Sequence, residues 1–439
     1  MDQSYARSVA VIGSGVAGLT AAYVLSGRDR VTLYEADARL GGHAHTHFLE
    51  DAADGGGRGG NLIGVDSAFL VHNDRTYPTL CRLFSELGVA TQESEMSMSV
   101  RADAIGLEYA GALGVRGLFA CRQSLRPRYL LMLAEIIRFH RAASRLLRED
   151  ATAHDDVETL EAFLNRHRFS PYFIDFFITP LVAAVWSCAS DDALRYPARY
   201  LFVFLAHHGM LSVFGSPTWR TVTGGSAHYV QAIAARLDEV AIRTPVHSLR
   251  RVPGGVLVRA DSNAPRFFDA AVVAVHPDQA LLLLDDPTSW ERAVLGAIPY
   301  STNRAQLHTD ESVLPRHRRA RASWNYLVTP GDHVVVSYDV SRLMRINAHP
   351  RYLVTLGGHD RVDPASVIAE MTYSHPLYTP ESVAAQAKLA MLDDDQVVFA
   401  GAYHGWGFHE DGAASGLAAA RRLGADWPTV ARRLGVVPC

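Results

Sequence analysis

The sequence predicts an α/β protein, in which a parallel Rossmann-type sheet is interleaved with a second, α+β domain. Three observations predict it. The chain opens on Val9-Ala-Val-Ile-Gly13-Ser-Gly15-Val16-Ala17-Gly18, an apolar strand that runs into a glycine turn and an apolar helix. A second strand, Val31-Thr-Leu-Tyr-Glu35, ends in an acid 22 positions after Gly13. Near the far end, the short apolar run Val397–Gly401 leads into a helix of small residues.

The opening reads as a βαβ unit that holds the ADP half of a dinucleotide. Gly13 allows the turn out of the strand. Gly15 lets the backbone approach a pyrophosphate, and Gly18 lets the helix lie close to the sheet. The helix, Val16–Leu25, turns its N-terminal N–H groups toward the phosphates. Glu35, with Ala36 beside it, stands where a carboxylate can meet ribose hydroxyls. The continuation Arg39-Leu-Gly41-Gly42-His43 favours FAD over NAD, which generally lacks a glycine pair there. Asp51–Gly60 is glycine-rich with no helix start after it and reads as a loop.

The remaining elements follow in order. Thr79–Leu87, 129–148 and 157–167 have helical period, the last after a polar break at Thr152–Asp156. Tyr172, Phe173, Phe176, Phe177, Leu181, Trp186, Phe202 and Phe204 form a bulky apolar cluster, with Pro171 and Pro180 expected to break helices around it. Thr223-Gly-Gly225, a helix, and Pro245-Val246 return to the first domain. Asn303–His308, His333–Tyr338 and Arg351–Thr355 read as strands of a second sheet, and Pro380–Leu392 as a helix. The expected division is 1–75, 220–285 and 390–439 for the first domain, and 76–219 with 286–389 for the second.

Composition bounds the function. The chain has 439 residues, 48% apolar and 20% charged, enough for two cores. A net charge of −4 gives no case for nucleic acid. Cys81, Cys121, Cys188 and Cys439 are widely spaced, so neither a metal site nor a disulfide framework is expected. With a core strand starting at Ser8, no signal peptide and a cytoplasmic location are expected. The 129–148 helix carries arginines on one face and could touch a membrane surface; a solvated face is the favoured reading. Oligomeric state is not legible.

These motifs, in order from residue 8 to residue 424, resemble the flavin-containing amine oxidoreductase superfamily, with its glutathione-reductase-type FAD domain. The carriers are the opening unit, Gly64-Val-Asp66-Ser-Ala-Phe69, Thr223-Gly-Gly225, Val246, Phe268–Pro277 and the C-terminal Gly401–Arg421. Gly42-His-Ala-His-Thr46, Ser323-Trp-Asn-Tyr326, His375-Pro376 and Gly407-Phe-His-Glu-Asp-Gly412 resemble one bacterial branch of predicted NAD/FAD-binding proteins. Members of that branch are often encoded near methyltransferases similar to cyclopropane-fatty-acid synthases. The resemblance implies a backbone contact from Val246 to adenine. It also implies a helix starting near Asp411 or Gly412 that faces the flavin, with Gly401, Phe408, Asp411, Gly412 and Ser415 around it.

Two departures bear on the activity. Family amine oxidases carry Phe-Ala-Gly-Glu where this chain has Phe399-Ala-Gly-Ala402. Many also place a lysine near the flavin, but Lys388, the only lysine here, falls elsewhere and is expected on a surface. The C-terminal turn lacks the cysteine that some relatives use to attach flavin, so FAD is expected to be non-covalent. His404, Trp406 and His409 are the candidate catalytic residues. The expected function is hydride removal from a hydrophobic, fatty-acyl or lipid-like substrate. An amine oxidase and a flavin-dependent isomerase or lipid-binding flavoprotein are the alternatives.

Overall fold

Short, largely apolar runs must be covered on both faces, and four of them pair in one parallel sheet with Glu239–Ala241 added at one edge. The order is Glu239–Ala241, Arg30–Tyr34, Ser8–Ile12, Ala270–Val273 and Val397–Phe399. The computed structural model describes residues 6–50, 62–149, 158–212, 215–261, 264–329 and 334–427. Alternate side chains go to opposite faces. Val9, Val11, Val31, Leu33, Val272 and Val398 pack under Val16–Leu25 and His409–Arg422. Ala10, Ile12, Ala271, Val273, Val397 and Phe399 meet a small three-stranded sheet and two short helices.

The second sheet has seven strands, in the order Val367–Pro376, Tyr300–His308, Leu353–Leu356, Val336–Asp339, Trp324–Leu327, Met98–Ala102 and Leu107–Tyr109. The strands expected at Asn303–His308, His333–Tyr338 and Arg351–Thr355 are all present, with shifted ends. The last two strands of the sheet come from 76–219, a region otherwise mostly helical, and no strand was expected there. Met98–Ala102 runs parallel to Trp324–Leu327, and Ser99 Oγ donates to Asn325 Oδ1 at 2.8 Å. A partner 226 positions away leaves no local signal.

The helices Pro78–Leu87 and Pro127–Arg148 appear as expected, each with proline in its first turn, and Leu160–Arg166 fills the third expectation. The expected loop at Asp51–Gly60 and the break at Thr152–Asp156 lie outside the described residues. The flanking strands Thr46–Glu50 and Leu62–Asp66 pair antiparallel.

Pro180 does not break its helix. Pro171–Phe173, a π turn at Ile174–Ile178 and Thr179–Trp186 follow without interruption. Proline has no N–H for the carbonyl four residues back, that of Phe176. The Tyr109 hydroxyl donates to that carbonyl instead, at 2.7 Å. The helix expected over Pro380–Leu392 ends at Gln386 and gives way to a 3₁₀ turn at Leu389–Met391. Lys388 lies between them, exposed, with its ammonium 5.6 Å from the centre of the Trp290 ring.

Candidate functional site

Two glycine turns face each other at the head of the helix Val16–Leu25. Gly13 has φ +99°, and a Cβ there would lie 2.6 Å from the Ala274 carbonyl oxygen. A Cβ on Gly18 would fall 1.9 Å from the carbonyl oxygen of Gly13, so helix and turn are in contact. Gly15 is different: a Cβ there meets nothing within 4 Å. It caps the helix, and the open space in front of it is aimed at by Val16, Ala17 and Gly18, the first-turn residues whose N–H groups have no intrahelical partner. Gly42, φ +55°, closes the other side, its Cβ position 3.1 Å from Gly15 Cα. Gly41 donates its N–H to the Ser14 carbonyl at 3.1 Å and binds the two turns together.

Glu35 lies beneath this cradle. One carboxylate oxygen accepts from Ser14 N at 3.0 Å and from the Ser14 hydroxyl; the other accepts from Asp37 N at 2.9 Å. Ala36 is exposed beside it. Thr244 donates to the Glu35 carbonyl at 2.8 Å, which brings the strand beginning at Val246 alongside. Arg39 reaches the Ala44 carbonyl at 3.4 Å, and its charge bears on His43, His45 and His47.

The terminal helix runs from His409 to Arg422, not from Asp411 or Gly412. It begins earlier because Asp411 occupies its third position and accepts from Phe408 N at 2.9 Å. A Cβ on Gly412 would lie 2.6 Å from Val16 Cγ1, and one on Gly416 2.2 Å from the Ala17 carbonyl oxygen. These small residues therefore let the terminal helix lie against the first one, and the two N-termini sit side by side. Ser415 Oγ accepts from Gly401 N at 3.0 Å and donates to the Gly412 carbonyl at 2.8 Å, pinning the helix to the end of the last strand.

The turn between them presents its side chains in three directions. Phe408 stacks on Phe204, with ring centres 4.9 Å apart. Trp406 lies against Tyr200, Phe204 and His207, and its Nε1 has no hydrogen-bond partner among the described residues. A cavity of about 140 Å³ opens here, walled by Tyr77, His207, His208, Trp406 and Phe408. His409 instead stacks on Phe69 at 3.8 Å and lies 3.2 Å from the Tyr229 hydroxyl. His404 packs on Tyr403, and its Nε2 has no hydrogen-bond partner among the described residues. Among the described residues, no hydrogen bond or ring contact joins His404, Trp406 and His409 to one another.

Burial sets the charge of this region. It lowers His409 to about 3, and His404 and His208 to about 4, so all three are neutral near pH 7. The two carboxylates on the cavity wall are tied down. Glu410 accepts from Thr79 N and Leu80 N, both at 2.9 Å, and so caps the helix Pro78–Leu87 from across the fold. Asp411 caps its own helix, and burial raises it to about 7.

A polar group that sequence reasoning missed lies behind His43. Tyr373 Oη is 2.9 Å from His45 Nδ1 and 2.7 Å from Ser67 Oγ, which is 3.0 Å from His47 Nε2. The His43 ring lies 5.0 Å from Tyr373 and 5.2 Å from His375, and its Nε2 has no partner. The alternation of His43, His45 and His47 was the only local sign; Tyr373 is 328 positions from His45.

No curated protein matches the chain in sequence. Solved structures match it in fold. Cyclohexylamine oxidase from Brevibacterium oxydans shares 18% identity at a TM-score of 0.67, covering 95% of this chain and 98% of its own. The fatty acid isomerase of P. acnes that produces CLA shares 16% at 0.68, with the same coverage. Putrescine oxidase bound to putrescine shares 15% at 0.65, covering 94% and 98%. The sequence itself matches one family over residues 16–424, and on that match the chain belongs to the flavin-containing amine oxidoreductases.

Proposed function

We propose that this chain is an FAD-dependent oxidoreductase that takes a hydride from an apolar, fatty-acyl or related lipid substrate, with FAD held non-covalently. The space before Gly15 suits a pyrophosphate, since no side chain fills it and the first turn of the helix supplies free N–H donors. In this reading Gly13, Gly15, Val16, Ala17, Gly18, Gly41 and Gly42 hold the pyrophosphate. Glu35, Ala36 and Arg39 serve the adenosine side, and Val246 serves adenine. His43, Gly401, Phe408, Asp411, Gly412 and Ser415 border the ring. When bound, the flavin supplies the two-electron acceptor.

The observation that carries the substrate class is that, among the described residues, both carboxylates at the Tyr403–His409 turn are engaged in helix capping. The cavity there is walled largely by aromatic rings, burial keeps His208 neutral, and its carboxylates cap helices. Trp406 and Phe408 would form an apolar wall that excludes water and orients a chain. An ammonium substrate would need a carboxylate freed from a helix N-terminus. Lys388 lies on the surface, which opposes the water-bridged lysine arrangement of amine oxidases.

Anaerobic mixing of the FAD-loaded protein with long-chain fatty acyl compounds and with primary amines tests this. Bleaching of the flavin by the fatty acyl compounds alone is expected. Bleaching by amines alone would establish an amine oxidase. Double-bond migration in the lipid without net bleaching would establish an isomerase.

A further inference from the structure

Charge is distributed unevenly in this chain. The whole protein carries a net charge of −4, yet the segment 114–148 holds eight arginines and one carboxylate, Glu135. That carboxylate is turned inward: Glu135 is buried, accepts from Ser170 N at 2.9 Å and pairs with Arg138 at 2.9 Å. Arg116, Arg122, Arg126, Arg128 and Arg141 are exposed and have no ion pair among the described residues. The short turn Arg318–Ala320 packs against the helix Gly114–Leu118 and adds exposed Arg318 and Arg319 to the same side.

Apolar side chains are exposed within this basic field. On the long helix Pro127–Arg148, Leu130, Leu131 and Ile137 are 46%, 55% and 48% exposed, and Leu125, just before the helix, is 68% exposed. At 100° per residue Leu130, Leu131, Ala134 and Ile137 fall on one stripe of the N-terminal half, and Arg138, Arg141 and Arg145 continue it. Arg122, Arg126 and Arg128 lie at the other end. The apolar stripe is thus bracketed by arginines. The opposite face of the helix, Tyr129, Met132 and Phe139, belongs to the core cluster against which Trp406 and Phe408 pack.

We propose that this face docks on an anionic phospholipid surface, with Leu125, Leu130, Leu131 and Ile137 entering the acyl boundary and the flanking arginines meeting headgroup phosphates. Arg138 pairs with Glu135 and Arg145 with Glu149, but Arg122, Arg126, Arg128 and Arg141 have no ion pair among the described residues, and uncovered leucine between them suits an interface that is apolar at its centre and negative at its rim. An amphipathic helix lying in the plane of a bilayer has this arrangement. No helix among the described residues is long and apolar enough to cross a membrane, so the contact is peripheral. The inference stands whether or not the substrate is a lipid.

Co-sedimentation of the full FAD-loaded chain with vesicles tests it, comparing phosphatidylcholine alone with phosphatidylcholine mixed with phosphatidylglycerol. Binding to the mixed vesicles is expected, weakening as salt rises, with little binding to the neutral ones. The variants Leu125→Ser/Leu131→Ser/Ile137→Ser and Arg122→Glu/Arg126→Glu/Arg128→Glu should each lower binding by about tenfold or more. Arg250→Glu/Arg292→Glu, a charge change of similar kind elsewhere on the surface, should not. Retained flavin and an unchanged melting temperature establish that each variant is folded. Equal binding to both vesicle types, no binding, or variants that bind like the parent would overturn the proposal. So would a concentration-dependent dimer that the leucine variants abolish, since a second copy would then cover the face.

Discussion

Gly15 and Gly18 stand three residues apart in one turn, and replacing each by alanine should have opposite consequences. Helix propensity alone makes Gly18→Ala stabilising by about 1 kcal/mol. The geometry reverses that sign. The added methyl would sit 1.9 Å from the Gly13 carbonyl oxygen and 3.2 Å from Ala274 Cβ, and the nearest atom is backbone that cannot swing away. The first helix must shift off the sheet, which costs roughly 1–3 kcal/mol of overpacking even after the propensity gain. At Gly15 the methyl meets nothing within 4 Å, and φ −62° with ψ 173° is open to any residue. Loss of the glycine cap, up to about 1 kcal/mol, is offset by the smaller entropy of the unfolded chain. Its effect should fall on the ligand, since the methyl occupies the pyrophosphate's approach, and FAD affinity should drop at least tenfold, about 1.4 kcal/mol. Urea denaturation of the flavin-stripped protein and titration with FAD, followed by flavin fluorescence, measure the two effects separately. Equal stability losses, or parent-like FAD affinity in Gly15→Ala, would refute the reasoning.

Four further outcomes follow from named contacts. Asp411 is raised by burial from 3.8 to about 7, so the folded state holds a proton that the unfolded chain releases. Its contribution to stability therefore falls as pH rises from about 4 through about 7, and Asp411→Asn, which keeps the acceptor for Phe408 N, should flatten the melting temperature across that range. Tyr109→Phe leaves the Phe176 carbonyl beside Pro180 without its donor and should cost about 1–3 kcal/mol in denaturation, with flavin content unchanged. Trp406→Ala should raise KM or lower turnover with the proposed apolar substrate while FAD stays bound, and Lys388→Met should change neither; a slowed flavin reduction in Lys388→Met would return the amine oxidase reading.

The parts that were legible in the sequence are those with local chemistry. The first helix was readable to its ends, because Gly13 turns the chain out of the strand and the largely apolar run continues to Leu25. The helix expected over Thr79–Leu87 showed in its period and begins one residue earlier, at Pro78. What escaped depends on distant partners. The Pro180 helix survives because Tyr109, 71 positions earlier in the chain, supplies the hydrogen bond for the Phe176 carbonyl. Glu410 looked like a residue of the flavin turn, but its lone pairs go to the head of a helix 330 positions away. The early start at His409 reflects Asp411 acting as a cap, a role its spacing from Phe408 permits but does not require. Tyr373 could not be joined to His45 from any run of residues, since the hydrogen bond forms only when the second sheet packs on the first domain.

The most direct test of the central claim is a crystal structure of the protein loaded with FAD. The pyrophosphate should lie in front of Gly15 at the head of the Val16–Leu25 helix, and the isoalloxazine ring should be bordered by the Tyr403–His409 turn, with Trp406 and Phe408 on the substrate side. A flavin bound with its ring far from that turn, or a pyrophosphate held away from Gly15, would contradict the account.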